Sequence, residues 1–154
     1  MCVVDFASLQ VSIQTIIGQN ISRTEKLQNI CALLKSRVPH YDWVGFYWVA
    51  PNAERELVLG EFVGEPTEHT QIAFGQGICG QAAETELTFV IQDVTQEANY
   101  LSCSPEVKSE IVIPIFKDSH VIGELDIDSH QTSPFTTMDQ DFLNEVAENV
   151  AALF

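Results

Sequence analysis

Apolar positions along the chain do not keep one spacing. Over residues 5–17, DFASLQVSIQTII places Phe6, Leu9, Ile13, Ile16 and Ile17 at helical intervals, and Gly18 follows as a stop. Ser22 and Glu25 stand three apart, as a capping box requires, ahead of a second stripe of Leu27, Ile30, Cys31 and Leu34. From residue 42 the period shortens. WVGFYWVA is aromatic and β-branched and predicts a strand, Pro51 to Ala53 predict a turn, and ELVLGEFVG predicts the returning strand of a hairpin.

The middle of the chain is more broken. EPTEHT reads as a polar loop. IAFGQGICGQAAETE, with glycines at 75, 77 and 80, predicts a tight loop running into a short helix with Cys79 near its start. TFVIQDV predicts a strand, and TQEANYLSCSPEVKS a loop carrying Cys103. EIVIPIFK and HVIGELDID predict two strands joined through Asp118 and Ser119. A last helix is expected from Thr137 as N-cap, with Gln140 at N3 and a core stripe of Met138, Phe142, Val146, Val150 and Phe154.

Strands that mostly follow one another through short turns, with helices at both ends, predict an α+β fold around a largely antiparallel sheet. The expected single domain spans 1–154, with N-terminal helices over about 5–37, sheet and pocket over about 42–129, and the final helix over about 137–154.

Alternation brings acids together. Glu124, Asp126 and Asp128 share one face of their strand, while Val121, Leu125 and Ile127 share the other. Whether Glu110 joins them depends on the preceding hairpin. A two-residue turn pairing Lys117 with His120 would set Glu110 opposite Ile127, on the core face. A three-residue loop pairing Phe116 with His120 would set it opposite Asp126. The second is expected, because a carboxylate on the core face is costly without a partner. Val112, Pro114 and Phe116 then share the acidic face. Acids beside apolar groups should hold their protons more tightly, and could bind an ammonium or donate a proton near neutral pH.

Composition narrows the classes. With 7 Lys plus Arg against 22 Asp plus Glu, the net charge is −15, which argues against nucleic acid and anionic membranes as partners. No apolar run approaches the ~18 residues of a membrane span. The segment MCVVDFASLQ lacks the cationic start of a signal peptide, so a cytoplasmic protein with reduced thiols is expected. Cys2, Cys31, Cys79 and Cys103 have no zinc-like spacing. Cys31 reads as core and Cys2 as part of a free end. His40, His120 and His130 flank turns and read as surface residues.

Several of these segments together resemble the free methionine-(R)-sulfoxide reductases, a family of GAF-domain proteins. They are WVGFYWV at 43–49, FGQGICG at 74–80, QDV at 92–94, Cys103 before SEIVIPIFKD, IGELDIDS at 122–129 and PFTTMDQDFL at 134–143. The resemblance runs from about residue 22 to the end. It implies a GAF-like sheet with helices on one face and a small-molecule pocket on the other. It also implies a homodimer without metal or organic cofactor, reducing free methionine-(R)-sulfoxide with thioredoxin as the thiol donor.

By position, Cys103 matches the family's nucleophilic thiol. Glu110, Asp126 and Asp128 match the acids that hold substrate, and Trp43 and Tyr47 the aromatics that line the pocket. Asp93 matches a further aspartate nearby. The family has one more cysteine ten residues before the one in GICG, and here that place is His69. Cys79 could then resolve an oxidised Cys103, or an external thiol could, or the chain could be a non-catalytic GAF module that binds a small molecule as a sensor. His69 itself could stabilise the Cys103 thiolate.

Overall fold

The computed structural model describes residues 3–52, 55–102 and 104–154. Helices α1 (Phe6–Ile17) and α2 (Arg23–Arg37) come first, followed by strands β1 (Trp43–Val49), β2 (Glu56–Val63) and β3 (Gln71–Ala73). Helix α3 (Gly77–Thr85) and strand β4 (Phe89–Ile91) come next, with a 3₁₀ turn at Val94–Gln96. Strands β5 (Ser109–Lys117) and β6 (His120–Ser129) and helix α4 (Thr137–Ala151) complete the chain. The six strands form one antiparallel sheet in the order β3-β2-β1-β6-β5-β4.

Helices α1, α2 and α4 cover one face. Leu9 and Ile13 of α1, Leu27, Ile30, Cys31 and Leu34 of α2, and Phe142, Val146 and Val150 of α4 pack there on Val44, Phe46, Ile111, Leu125 and Ile127. Each such side chain contributes about 1.5–3 kcal/mol by leaving water. The Ser22–Glu25 capping box forms as the spacing predicts. On the opposite face α3 packs over β5 and β6, and Trp43, Tyr47, Leu57, Ile72, Ile78, Cys79 and Val112 make a second apolar cluster.

Several expectations need correction. The last helix is capped by Thr136, not Thr137, in a capping box with Asp139. That places Asp139 inside and leaves Met138 62% exposed. Phe154, 38% exposed, lies past the helix and packs on the Trp48 ring beneath the Arg23 guanidinium. His40 is not a surface residue: its Nε2 lies 2.7 Å from Asp139 Oδ1, which also accepts a bond from Tyr41 Oη at 2.8 Å. The short strand β3 pairs with β2 where a loop was expected.

The hairpin register differs most. Lys117 pairs with His120 across a two-residue turn, and Asp118 and Ser119 both take left-handed φ, 50° and 66°. That is the mirror-image turn whose twist suits a hairpin. One extra residue, Ile122, then bulges from β6, because Ile115 pairs with Gly123 and Phe116 with Val121. The bulge moves Glu110 opposite Asp128, not Asp126, and Val112 opposite Asp126. Glu110 still shares the face of the acids, by a route that alternation does not reveal.

Candidate active site

The centre of the sheet builds the floor of the site. In β1, Trp43, Gly45 and Tyr47 face α3 and pair with Asp128, Asp126 and Glu124 of β6. Gly45 is needed there, because the Trp43 indole folds over it and a Cβ would collide with that ring and approach Phe62 Cβ to 2.8 Å. The indole stacks between Phe62 and Tyr47. Both aromatics also hold down the loop after β2: Trp43 Nε1 donates to Glu65 O at 3.0 Å, and Tyr47 Oη donates to His69 O at 2.8 Å.

Four carboxyl groups sit on this floor, all under 7% exposed: Glu110, Glu124, Asp126 and Asp128. Above them stands Cys79, placed at the start of α3 by the glycine-rich turn. Its thiol donates to Glu110 Oε2 at 3.7 Å. The Cys79 sulfur and one oxygen each from Glu110 and Asp126 all lie within 4.8 Å of one another. Both oxygens of Glu124 and Oδ1 of Asp126 meet no hydrogen-bond donor among the described residues.

This crowding governs the protons. Burial pushes Glu124 well above the usual carboxylate range; the nearby Cys79 thiol offsets part of that, and Asp126 adds to it. Burial, then repulsion by Asp126, raises Asp128 well above its ordinary value, while a bond to Glu110 offsets part of this. Asp126 is raised by burial against opposing bonds from Glu110 and Cys79. Burial, followed by Asp126, Glu124 and Glu110, pushes the Cys79 thiol far up, so it keeps its proton in this conformation. Burial thus works against charge on the carboxyl groups and on the thiol alike.

The segment at 99–102 forms the roof. Asn99 staples it to the start of α3: Asn99 Oδ1 accepts from Gly77 N at 2.9 Å, Asn99 Nδ2 donates to Gly75 O at 2.8 Å, and Gln81 Nε2 donates to Asn99 O at 3.0 Å. Leu101 fills the space over Gly77. His69 Nε2 lies 3.0 Å from Ser102 O, which ties the loop after β2 to this roof. Tyr47, His69, Ile72, Cys79, Leu101, Glu110 and Asp126 enclose a cavity of only about 10 Å³. A second cavity, of about 40 Å³, lies beside Trp43, Glu65, Ser104, Asp128 and His130.

The structure thus brings together Trp43, Tyr47, Cys79, Glu110, Asp126 and Asp128, with His69 at the rim. Cys103 lies outside the described residues, between the described neighbours Ser102 and Ser104. Asp93 Oδ1 accepts from Thr95 N at 3.0 Å and Thr95 Oγ1 at 2.7 Å, capping the 3₁₀ turn, and these bonds lower its pKa. Sequence reasoning placed Glu124 in the acid row without a role, and passed over Asn99 and Leu101. An asparagine four residues before Cys103 in a polar loop gives no periodic signal.

The GAF domain profile matches residues 22–154. The free methionine-R-sulfoxide reductase of Saccharomyces cerevisiae is 36% identical over 130 residues, covering 84% of this chain and 71% of that one. The chain belongs to the free methionine-R-sulfoxide reductase family of GAF domains. A family member from Escherichia coli is 32% identical over 141 residues, covering 92% and 83% of the two chains. The Neisseria meningitidis family member, solved in complex with its substrate, superposes with a TM-score of 0.91 at 35% identity, covering 97% of this chain and 87% of that one. In this α+β GAF fold α1, α2 and α4 cover one sheet face, and the acid cluster lies on the other beneath α3. No helix of the described residues is long and apolar enough to cross a membrane.

Proposed function

We propose that the protein reduces free methionine-(R)-sulfoxide to methionine with a thiol as reductant. One observation carries this reading: a thiol and buried carboxyl groups converge in a small pocket floored by aromatic rings. A zwitterionic amino acid with a reducible sulfur suits such a pocket. Its ammonium would meet the oxygens of Asp126 and Glu124 that find no donor, and its S-methyl group would lie against Trp43 and Tyr47.

In the proposed reaction the Cys103 thiolate attacks the sulfoxide sulfur. A carboxyl group of Glu110, Asp126 or Asp128 protonates the sulfoxide oxygen, because an unprotonated oxide is a very poor leaving group. The protonated oxygen passes from the substrate sulfur to the Cys103 sulfur as the S–O bond and the bond made by the attack both break, so methionine leaves reduced by two electrons and Cys103 is left as a sulfenic acid. Cys79 then attacks the Cys103 sulfur. Water departs and a disulfide forms. The proton that Cys79 gives up leaves with the sulfenic hydroxyl as that water, and the proton Cys103 released on becoming a thiolate restores the carboxyl group spent in the first step. A dithiol such as thioredoxin reduces the disulfide by exchange. His69 stands where the family has its further cysteine, which leaves Cys79 as the internal partner in this scheme. We take the enzyme to act as a cytoplasmic homodimer.

The test is direct. Wild-type protein incubated with free methionine-(R)-sulfoxide and dithiothreitol should release methionine, and Cys103→Ser should not. Peptide mapping after one turnover without reductant should find a Cys79–Cys103 disulfide. Equal inertness of wild type and Cys103→Ser, with ligand still bound, would instead make this a small-molecule binding module.

A further inference from the structure

We propose that Cys79, Glu110 and Asp126 form a binding site for a thiophilic divalent cation, zinc being the best fit, and that this cation competes with substrate.

One sulfur and two carboxylate oxygens, from α3, β5 and β6, lie within 4.8 Å of one another. Tetrahedral zinc with Zn–S near 2.3 Å and Zn–O near 2.0–2.2 Å sets its ligands about 3.5 Å apart. Closing that gap takes movement of about 1 Å, within reach of carboxylate rotamers. The ligand set is mixed. Thiolate selects against magnesium and calcium, which take oxygen alone, whereas zinc accepts sulfur and oxygen together.

A second observation points to a ligand independently. Glu124 is fully buried, two positions from Asp126 on the same face of β6, and neither of its oxygens has a hydrogen-bond donor among the described residues. The Cys79 thiol lies near enough to lower its pKa, yet makes no hydrogen bond to it by geometry, so the only donor in reach among the described residues is the proposed metal ligand itself. A buried carboxylate without a donor is expensive unless something cationic meets it. The adjoining cavity of about 10 Å³ has room for roughly one water-sized sphere, enough for an ion or the water that completes its shell.

Binding would exchange protons for metal: the Cys79 S–H bond breaks, a Zn–S bond forms, and the proton leaves to solvent. No electrons move. A cation there would occupy the oxygens an amino-acid ammonium needs and would hold the Cys79 sulfur away from any partner thiol. Binding stands independently of the reductase reading; only the effect on turnover rests on it.

The experiment uses the reduced, chelator-treated full chain. Zinc is titrated against a chromophoric chelator, and cobalt(II) is added separately to read the thiolate-to-metal charge-transfer band. One cation per chain is expected, with a cobalt band that disappears in Cys79→Ser and persists in Cys103→Ser and Cys2→Ser. Glu110→Gln and Asp126→Asn should each weaken zinc at least tenfold, and they serve if Cys79→Ser fails to fold. Magnesium in large excess should not displace zinc. A band that survives in Cys79→Ser, a band lost only in Cys103→Ser, displacement by magnesium, or no binding would each overturn the site. If zinc binds as described but does not inhibit turnover, the competition is refuted while the site stands; if no turnover exists to inhibit, the reductase reading fails while the site stands.

Discussion

The imidazole Nε2 of His69 lies 3.0 Å from the carbonyl oxygen of Ser102. A carbonyl only accepts, so this nitrogen carries the proton and donates. The bond links the loop held by Tyr47 to the residue that precedes Cys103. His69→Ala should lower kcat/KM about 3–10-fold, as loss of a bond worth ~1 kcal/mol implies, with KM rising more than kcat falls. His69→Gln, which keeps a donor, should restore part of the loss. Unchanged steady-state kinetics in His69→Ala would remove this role.

Gly45 lies under the Trp43 indole, with Phe62 Cβ 2.8 Å from where its own Cβ would stand. Gly45→Ala must push the indole off the pocket floor. Overpacking of this kind costs about 1–3 kcal/mol. Urea unfolding should show that loss, and Trp fluorescence should report a more exposed ring. An unchanged midpoint would contradict the close packing.

Glu124 is buried without a donor for either oxygen. Its pKa is raised in the folded state, chiefly by burial. Its contribution is therefore most favourable below the ordinary glutamate range and is lost as pH rises through the raised value. Glu124→Gln keeps the shape and needs no proton on folding, so it should stabilise the protein by on the order of 1–2 kcal/mol at pH 7–8. The gain should shrink at lower pH. Thermal melts of the two proteins across pH would settle the sign; a less stable variant at pH 8 would refute it.

Asp139 behaves in the opposite way. Burial pushes it up, but bonds from His40, Thr136 and Tyr41 outweigh that and hold its pKa below the ordinary value. Its contribution is present above the unfolded pKa and is lost as pH falls through the lowered one. Asp139→Asn should cost about 2–3 kcal/mol at neutral pH through the lost cap and charged bonds, and close to nothing in strong acid. Denaturant melts at several pH values would show whether the gap closes in that direction.

The legible parts of the fold were those with a long period. Leu9 and Ile13, and the stripe from Leu27 to Leu34, repeat often enough to fix two helices, and the Ser22–Glu25 spacing marks where the second begins. Asp126 and Asp128 declared a shared face by alternation alone. The partner of Glu110 was not legible, because the extra residue Ile122 is an ordinary apolar side chain and only the backbone shows the bulge. Asp118 and Ser119 adopt left-handed angles without the glycine that usually signals them. Residues 71–73 are too few to reveal a period, and Met138 fits the helical stripe as well as Asp139 until the cap is fixed. The roles of Cys103 and Asp93 came from resemblance, not from pattern.

A chamber with space for about 10 Å³ cannot admit an amino acid without first opening. Arrival and enclosure are then separate kinetic events. In stopped-flow traces of Trp fluorescence, the observed rate should climb with ligand concentration and then level off. That plateau would measure how often the roof lifts, and catalysis could run no faster.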